Sequence, residues 1–255
     1  MPKRAPANPD QFEEAAAWFR SRTPVTPSEW ESLNHQARRQ AFTVAGAVSL
    51  RVVQLLLSSI GRAIEKGQPL ERWKADLRKS KTLAEFASKN SAVLKTAFAT
   101  ANQTAHSAGR WRQLQEPSVR ALTPYLMYEA TLDAYTTDLC KGLNGTILPN
   151  DHPWWLTHFP PLHFFCRSLL RGLSPEMAKQ RGGITLNLPR PNIPDDWGLA
   201  PPLRAGQVWE PSASDFDPAA WAIYQRNQER MKARWARQEA ANDNAPKPER
   251  KPRKD

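Results

Sequence analysis

Apolar residues recur at three- and four-residue steps through Trp30, Leu33, Ala37, Ala41, Val44, Val48, Val52, Leu55, Leu56 and Ile60. Such a stripe lies along one side of the chain only when the backbone is α-helical. The spacing therefore predicts one long helix continuing to Ile64, stopped by Gly67 and then Pro69. Thr26 or Ser28 is suited to cap its start, with Pro27 in the first turn. From Val52 to Leu57 the apolar residues run almost all round the axis, which predicts burial on several sides.

The same reasoning extends the helical pattern in both directions. A helix is expected before Arg22, with Phe12, Ala15, Ala16 and Phe19 on one face. Another is expected over Leu70 to Lys79. A further one spans Ser91 to Leu114, with Leu94, Phe98, Ala101, Ala105, Ala108 and Trp111 forming its apolar face and Pro117 just beyond its end.

The texture changes near Arg120. Tyr125 to Leu132 is rich in strand formers, and Asn144-Gly145 beside the apolar run to Leu148 is a hairpin-like signal. Prolines, aromatics and histidines crowd the stretch from Trp154 to Phe165, and prolines dominate residues 184 to about 216. The fold class is read as α+β: a long-helix N-terminal region, a small mixed α+β unit, an extended Pro-rich arm and a C-terminal helix. The expected division is a disordered segment at 1–10, a helical domain at 11–118, a small α+β domain with a Cys/His cluster at 119–183, the arm at 184–217, an amphipathic basic helix at 218–241 and a disordered basic tail at 242–255.

No run of eighteen uncharged apolar residues is present, so a spanning helix is not expected. The start of the chain, Met1-Pro2-Lys3-Arg4, lacks the apolar run of a secretory signal, so the expected place of action is the cytosol or a particle assembled there. The net charge of +11 favours polyanionic partners, because contact with phosphates releases condensed counterions. That charge also serves solubility or docking on an acidic protein. Its densest part is the C-terminal helix and tail, where Arg230, Lys232, Arg234, Arg237, Lys247, Arg250, Lys251, Arg253 and Lys254 are the candidate contacts to nucleic acid or a partner.

The two cysteines, Cys140 and Cys166, are too few for a disulfide framework. With His152, His158 and His163 they fall within about thirty residues, and thiolate and imidazole ligands suit a tetrahedral Zn²⁺. The candidate ligand set is Cys140, His158, His163 and Cys166, with His152 as the alternative to His158. A structural zinc would cross-link a unit too small to bury much core. The same residues also read as small buried hydrophobes and hydrogen-bonded loop histidines. A nucleophilic cysteine with a histidine base is a third reading, which no nucleophile-elbow motif supports. The block Trp154-Trp155, Phe159, Phe164, Phe165 reads as core in preference to a base-stacking platform. Asp133 and Arg167 are an expected ion pair.

Three blocks in order carry a family resemblance. The first runs through Ala17-Trp18-Phe19-Arg20-Ser21-Arg22, Trp30, Ala41 to Gly46 and Ala63 to Gly67. The second is Phe98 to Trp111, which is similar to a Phe-x-x-x-Asn-x-x-x-Ala-x-x-x-Gly helix. The third passes from Pro124-Tyr125 through Asp133, Thr136, Cys140, Gly145, Pro149, Asp151, Pro153 and Trp154 to Pro160-Pro161-Leu162-His163-Phe164-Phe165-Cys166-Arg167. Over about residues 12 to 175 this resembles the phage Mu F-like head morphogenesis family. The resemblance implies a minor capsid component, without catalytic residues, that associates with the portal protein and other capsid parts during procapsid assembly and genome packaging or delivery. It implies a place in the virion, in host cytoplasm during assembly, and no membrane partner; packaged DNA is a further expected partner. Where many members read Cys-Arg-Cys, this chain has Cys166-Arg167-Ser168, and Thr137 and Asn144 stand where some members carry an extra cysteine or histidine. The alternatives are a nucleic-acid-acting enzyme or toxin-like effector using the Cys/His cluster, and a non-catalytic DNA-binding module.

Overall fold

The computed structural model describes residues 9–38, 40–194 and 196–201, with Ala213, Trp221, Ala222, Gln225, Arg226 and Glu229. In chain order the elements are α1 (Pro9–Arg20), β1 (Thr23–Pro24), α2 (Pro27–Ser32), α3 (His35–Arg38), β2 (Ala41–Phe42), α4 (Leu50–Glu65), α5 (Leu70–Leu77), α6 (Lys81–Lys89), α7 (Ser91–Gln115), α8 (Pro117–Leu122), β3 (Tyr125–Glu129), α9 (Asp138–Leu143), β4 (Ile147–Pro149), a 3₁₀ turn at Pro153–Leu156, β5 (Leu169–Leu173) and α10 (Pro175–Gln180). The fold is α+β, as expected. No described helix is long and apolar enough to cross a membrane.

The single helix expected from Trp30 to Ile64 does not form. Its start is as predicted: Thr26 and Glu29 make a reciprocal capping box around Pro27, with the Thr26 amide donating to Glu29 Oε2 at 2.7 Å. The chain then leaves the helix. Ala41–Phe42 bridges in parallel with Thr23–Pro24. The buried guanidinium of Arg22 donates to the carbonyl of Ala41 at 3.0 Å from Nε, and burial lowers its pKa to about 10. Gly46 takes a φ of +76°, which a side chain would strain, and α4 starts only at Leu50. Val48, on the predicted stripe, is 89% exposed. The apolar period was present, but tertiary hydrogen bonds to the Ala41 segment claimed the backbone. Helix α6 was not expected from the sequence, whereas the face predicted for α7 is buried at every named position.

Helix α1 packs against α4 and α7 through small residues. Ala15 and Ala16 are fully buried, and a Cβ on Gly109 of α7 would stand 3.2 Å from the Ala15 amide nitrogen. Only glycine permits so close a helix approach there. Around this contact lies one apolar core that includes Phe19, Leu56, Ile60, Ile64, Trp73, Leu94 and Phe98. Trp73 stacks on Phe98 with ring centroids 4.7 Å apart and donates Nε1–H to Ser59 Oγ at 3.1 Å. Its polar atom is thus satisfied inside the core.

The far end of α7 enters a second core. Trp111 and Leu114 join Leu126, Tyr128, Leu143, Leu148, Trp154, Trp155, Phe159, Leu162 and Leu170. Its frame is a three-stranded antiparallel sheet in the order β4-β3-β5. The Asn144-Gly145 turn does lead into a strand of this sheet, but it is not a tight hairpin. Helix α9 lies between β3 and β4, and the Gly145 amide donates back to the Tyr128 carbonyl at 2.9 Å. Side chains of α7 also hold β5 in place, since Gln103 donates to the Ser168 carbonyl at 3.0 Å and Arg110 to that of Leu170 at 2.6 Å. The stretch 184–194 and 196–201 carries no helix or strand, in keeping with the expected loop-dominated arm.

Candidate functional site: a Cys/His cluster on the small sheet

Three separate pieces of chain build the cluster. Thr137 caps α9 by accepting from the Cys140 amide, which fixes Cys140 in the first turn facing the sheet. Tyr128, fully buried on β3, donates its hydroxyl toward Cys140 Sγ at 3.5 Å. The loop before β5 brings His163 and Cys166, joined by a turn in which the Cys166 amide donates to the His163 carbonyl at 3.2 Å. Phe165, between them, has a φ of +58°, and Leu132 in the facing loop has one of +31°. Non-glycine residues in this region cost roughly 1–3 kcal/mol each and persist only where surroundings impose them.

Cys140 Sγ lies 3.8 Å from Cys166 Sγ and 3.2 Å from His163 Nε2. Both cysteines are 2% exposed. His163 Nδ1 faces the Phe164 carbonyl at 2.8 Å, which assigns its proton to Nδ1 and leaves the Nε2 lone pair facing Cys140 Sγ and, at 3.0 Å, Thr137 Oγ1. The two thiols are strongly coupled. The hydrogen bond from Cys166 lowers the Cys140 pKa to about 4, against burial, with Ser168, Tyr128 and Thr137 adding to the effect; the same bond, joined by burial, raises that of Cys166. The pair thus favours one thiolate and one thiol. Burial, first of all, raises the Tyr128 hydroxyl.

The expected fourth ligand is elsewhere. The His158 ring stacks on Trp154 with centroids 3.9 Å apart and its Nδ1 is 3.1 Å from the Trp154 carbonyl, so aromatic packing holds it out of the cluster. Burial lowers its pKa. His152 is also committed, accepting at Nδ1 from the Trp154 amide at 3.2 Å. The positions that sequence reasoning missed are Tyr128, Thr137 and Ser168. Thr137 before Asp138 carried a readable N-cap signal, and Ser168 stands where many relatives have a cysteine; Tyr128 had no such signal, since only the sheet register places it here.

An ion pair clamps the two loops beside the cluster. Arg167 makes two parallel hydrogen bonds to Asp133, and Thr131 Oγ1 donates to the Arg167 carbonyl at 3.1 Å, so the expected pairing of Asp133 with Arg167 is observed. The Arg167 bond holds the Asp133 carboxyl far below its usual range. The aromatic block divides: Trp154, Trp155 and Phe159 are core, whereas Phe164 and Phe165 are 58% and 49% exposed. The cavity at the cluster, lined by Thr137, Cys140, His163 and Ser168 among others, is about 10 Å³, room for about one water. A larger apolar cleft of about 730 Å³ shares no wall with it; Trp18, Phe42, Ala97, Phe159, Trp197 and Leu199 contribute to its lining. The basic candidates Arg230, Lys232, Arg234, Arg237, Lys247, Arg250, Lys251, Arg253 and Lys254 lie outside the described residues; of the expected C-terminal helix, Trp221, Ala222, Gln225, Arg226 and Glu229 are described and helical.

Comparison with known proteins locates this unit. Residues 54–171 match a family described as "Phage Mu protein F like protein", a span that holds most of α4, all of α5 to α9 and the whole cluster. Over 185 residues the chain is 27% identical to the "Putative capsid assembly protein F" of Escherichia phage Mu, covering 66% of this chain and 42% of that one. It is 28% identical over 165 residues to the Mu-like prophage FluMu F protein of Haemophilus influenzae, covering 60% and 39% respectively. The chain therefore spans about two fifths of the length of these curated relatives. No solved structure matches. Through residues 54–171, with α7, β3, β4 and the Cys/His cluster inside them, the chain is similar to the phage Mu protein F-like family.

Proposed function

We propose that the chain acts in phage head morphogenesis as a minor capsid component, docking on other capsid parts at the portal vertex during procapsid assembly and genome packaging or delivery. The observation that carries this reading is the family match over residues 54–171, together with a phage Mu relative whose name assigns it to capsid assembly. The physical design agrees with it. Two apolar cores on one shared helix make a rigid part, and the net charge of +11 suits a polyanionic neighbour such as packaged DNA. The test is quantitative mass spectrometry of purified proheads and virions from the encoding phage or prophage. A few copies per particle, in constant ratio to the portal, is the expected result; absence from both particles, with no affinity for their vertex components, overturns the proposal.

The rival reading, a nucleic-acid enzyme built on Cys140 and His163, has the 3.2 Å sulfur–nitrogen contact in its favour. Against it, Cys140 is 2% exposed and the adjoining cavity takes about one water, which leaves little room for a scissile group at the sulfur. Nucleic-acid cleavage by purified protein, lost in a folded Cys140→Ala variant, would decide for the enzyme. DNA contact has its own test. Deleting the residues after about 240 should flatten the salt dependence of DNA affinity, and an unchanged slope removes the tail from that role.

A further inference from the structure

We propose that Cys140, His163 and Cys166 bind one Zn²⁺, with a single water as the fourth ligand, and that this metal cross-links α9 and the 163–168 loop on the sheet. The ligand atoms of these three residues all lie within 4.8 Å of one another, and no other grouping of that kind occurs among the described residues. The spacing matches the ion's geometry. Two thiolates each about 2.3 Å from a tetrahedral zinc stand about 3.8 Å apart. The observed sulfur–sulfur separation is 3.8 Å. Sulfur and nitrogen ligands should be about 3.6 Å apart, and the observed 3.2 Å needs only a small side-chain rotation.

The chemistry of the donor set points the same way. Two thiolates neutralise a dication, so the charge buried with the metal is close to zero. The proton that the pair still holds leaves to solvent on binding, and His163 enters through Nε2. Its Nδ1–H donates to the Phe164 carbonyl, the outer bond that orients a metal-bound imidazole. The fourth position is the half-open cavity of about 10 Å³ lined by Thr137 and Ser168 among others, which has room for about one water. Held by residues of α9 and of the 163–168 loop, the ion links the two pieces of chain. The inference is independent of the role in head assembly, since it concerns only what closes the small core.

The full-length chain, reduced and stripped of metal, is titrated with Zn²⁺ against a chromogenic chelator, with Co²⁺ as a spectroscopic probe of thiolate coordination. One equivalent should bind with a thiolate-to-cobalt charge-transfer band. Cys166→Ser and His163→Ala should each weaken binding by more than about a hundredfold, a first-ligand loss exceeding that of an outer partner, while His158→Ala and His152→Ala leave it unchanged. Ser168→Cys replaces the water with a thiolate and should tighten binding by on the order of tenfold. This gain keeps the test open if the loss variants fail to fold. Failure of the wild type to bind zinc overturns the proposal. So does dependence on His158, indifference to Ser168→Cys, or a purified native protein whose mass shows a Cys140–Cys166 disulfide.

Discussion

The core around α1 and the core around the β4-β3-β5 sheet share α7 but are closed by different means. The first is made almost wholly from regular helices: Phe19, Leu56, Ile60, Ile64, Trp73 and Leu94 are all on helical faces, and small residues at Ala15 and Gly109 let those helices approach. The second takes Trp154, Trp155, Phe159, Leu162, Cys166 and Ala200 from loops and a single 3₁₀ turn, around strands of five, three and five residues. Sheets that short carry few ladder bonds, and small units commonly add a staple where apolar burial is limited. Here the Asp133–Arg167 ion pair joins two loops, and the zinc proposed at Cys140, His163 and Cys166 would supply the staple. Helix packing closes the first region by itself; side-chain links close the second.

The largest effect expected from a single change is the loss of a buried tryptophan. Trp73→Ala in the first core and Trp155→Ala in the second each remove a side chain at most 1% exposed and should cost about 3–5 kcal/mol in chemical denaturation. The comparison sharpens if the two melt different parts of the chain: near-ultraviolet circular dichroism and limited proteolysis should show Trp155→Ala loosening residues after 123 while α1 and α4 stay protected. Uniform loosening by both would show one cooperative core instead of two.

Gly109→Leu should come next. It drives a side chain into the α1 backbone at a site where even a Cβ is 3.2 Å away, and overpacking of this kind costs about 1–3 kcal/mol. Proteolysis should then begin near α1. A variant as stable as wild type would mean that α1 does not rest on α7.

How much of this was legible in the sequence follows the same divide. The buried positions of α7, and a helix start capped by Thr26 or Ser28, could be read from residue spacing alone, because local periodicity and caps decide them; the structure uses Thr26. The break between Arg38 and Leu50 could not, since it depends on Arg22 and Thr23 reaching Ala41 from nineteen and eighteen residues away. The Cys/His cluster was visible as a concentration of ligand types. Its membership was not: His158 matched by residue type, but only the stacking on Trp154 shows that it points elsewhere. Loops lack a period, so side-chain direction inside them is set by long-range packing that sequence spacing does not encode.

Two smaller effects depend on pH and belong to the second region. His158 is held below its ordinary pKa by burial, so its neutral form is stabilised; that contribution is complete above about pH 6.5 and is lost as the pH falls through the lower folded value. His158→Phe should therefore flatten the stability profile between neutral and mildly acid pH, and an unaltered slope would show the ring already free to protonate. Asp133, held down by Arg167, stabilises the fold above the usual carboxylate range near pH 4 and loses that contribution as the pH falls below it. Asp133→Asn should soften the acid limb, with the smallest effect of the set because the pair is exposed to solvent and to salt.

Hydrogen exchange of the zinc-loaded chain, before and after a chelator, tests most directly whether the two cores are closed differently. The account predicts that chelation speeds exchange by tenfold or more, an order-of-magnitude expectation, at the amides of β3, α9 and β4, while those of α1 and α4 keep their protection. Equal acceleration in both regions, or none in either, would contradict it.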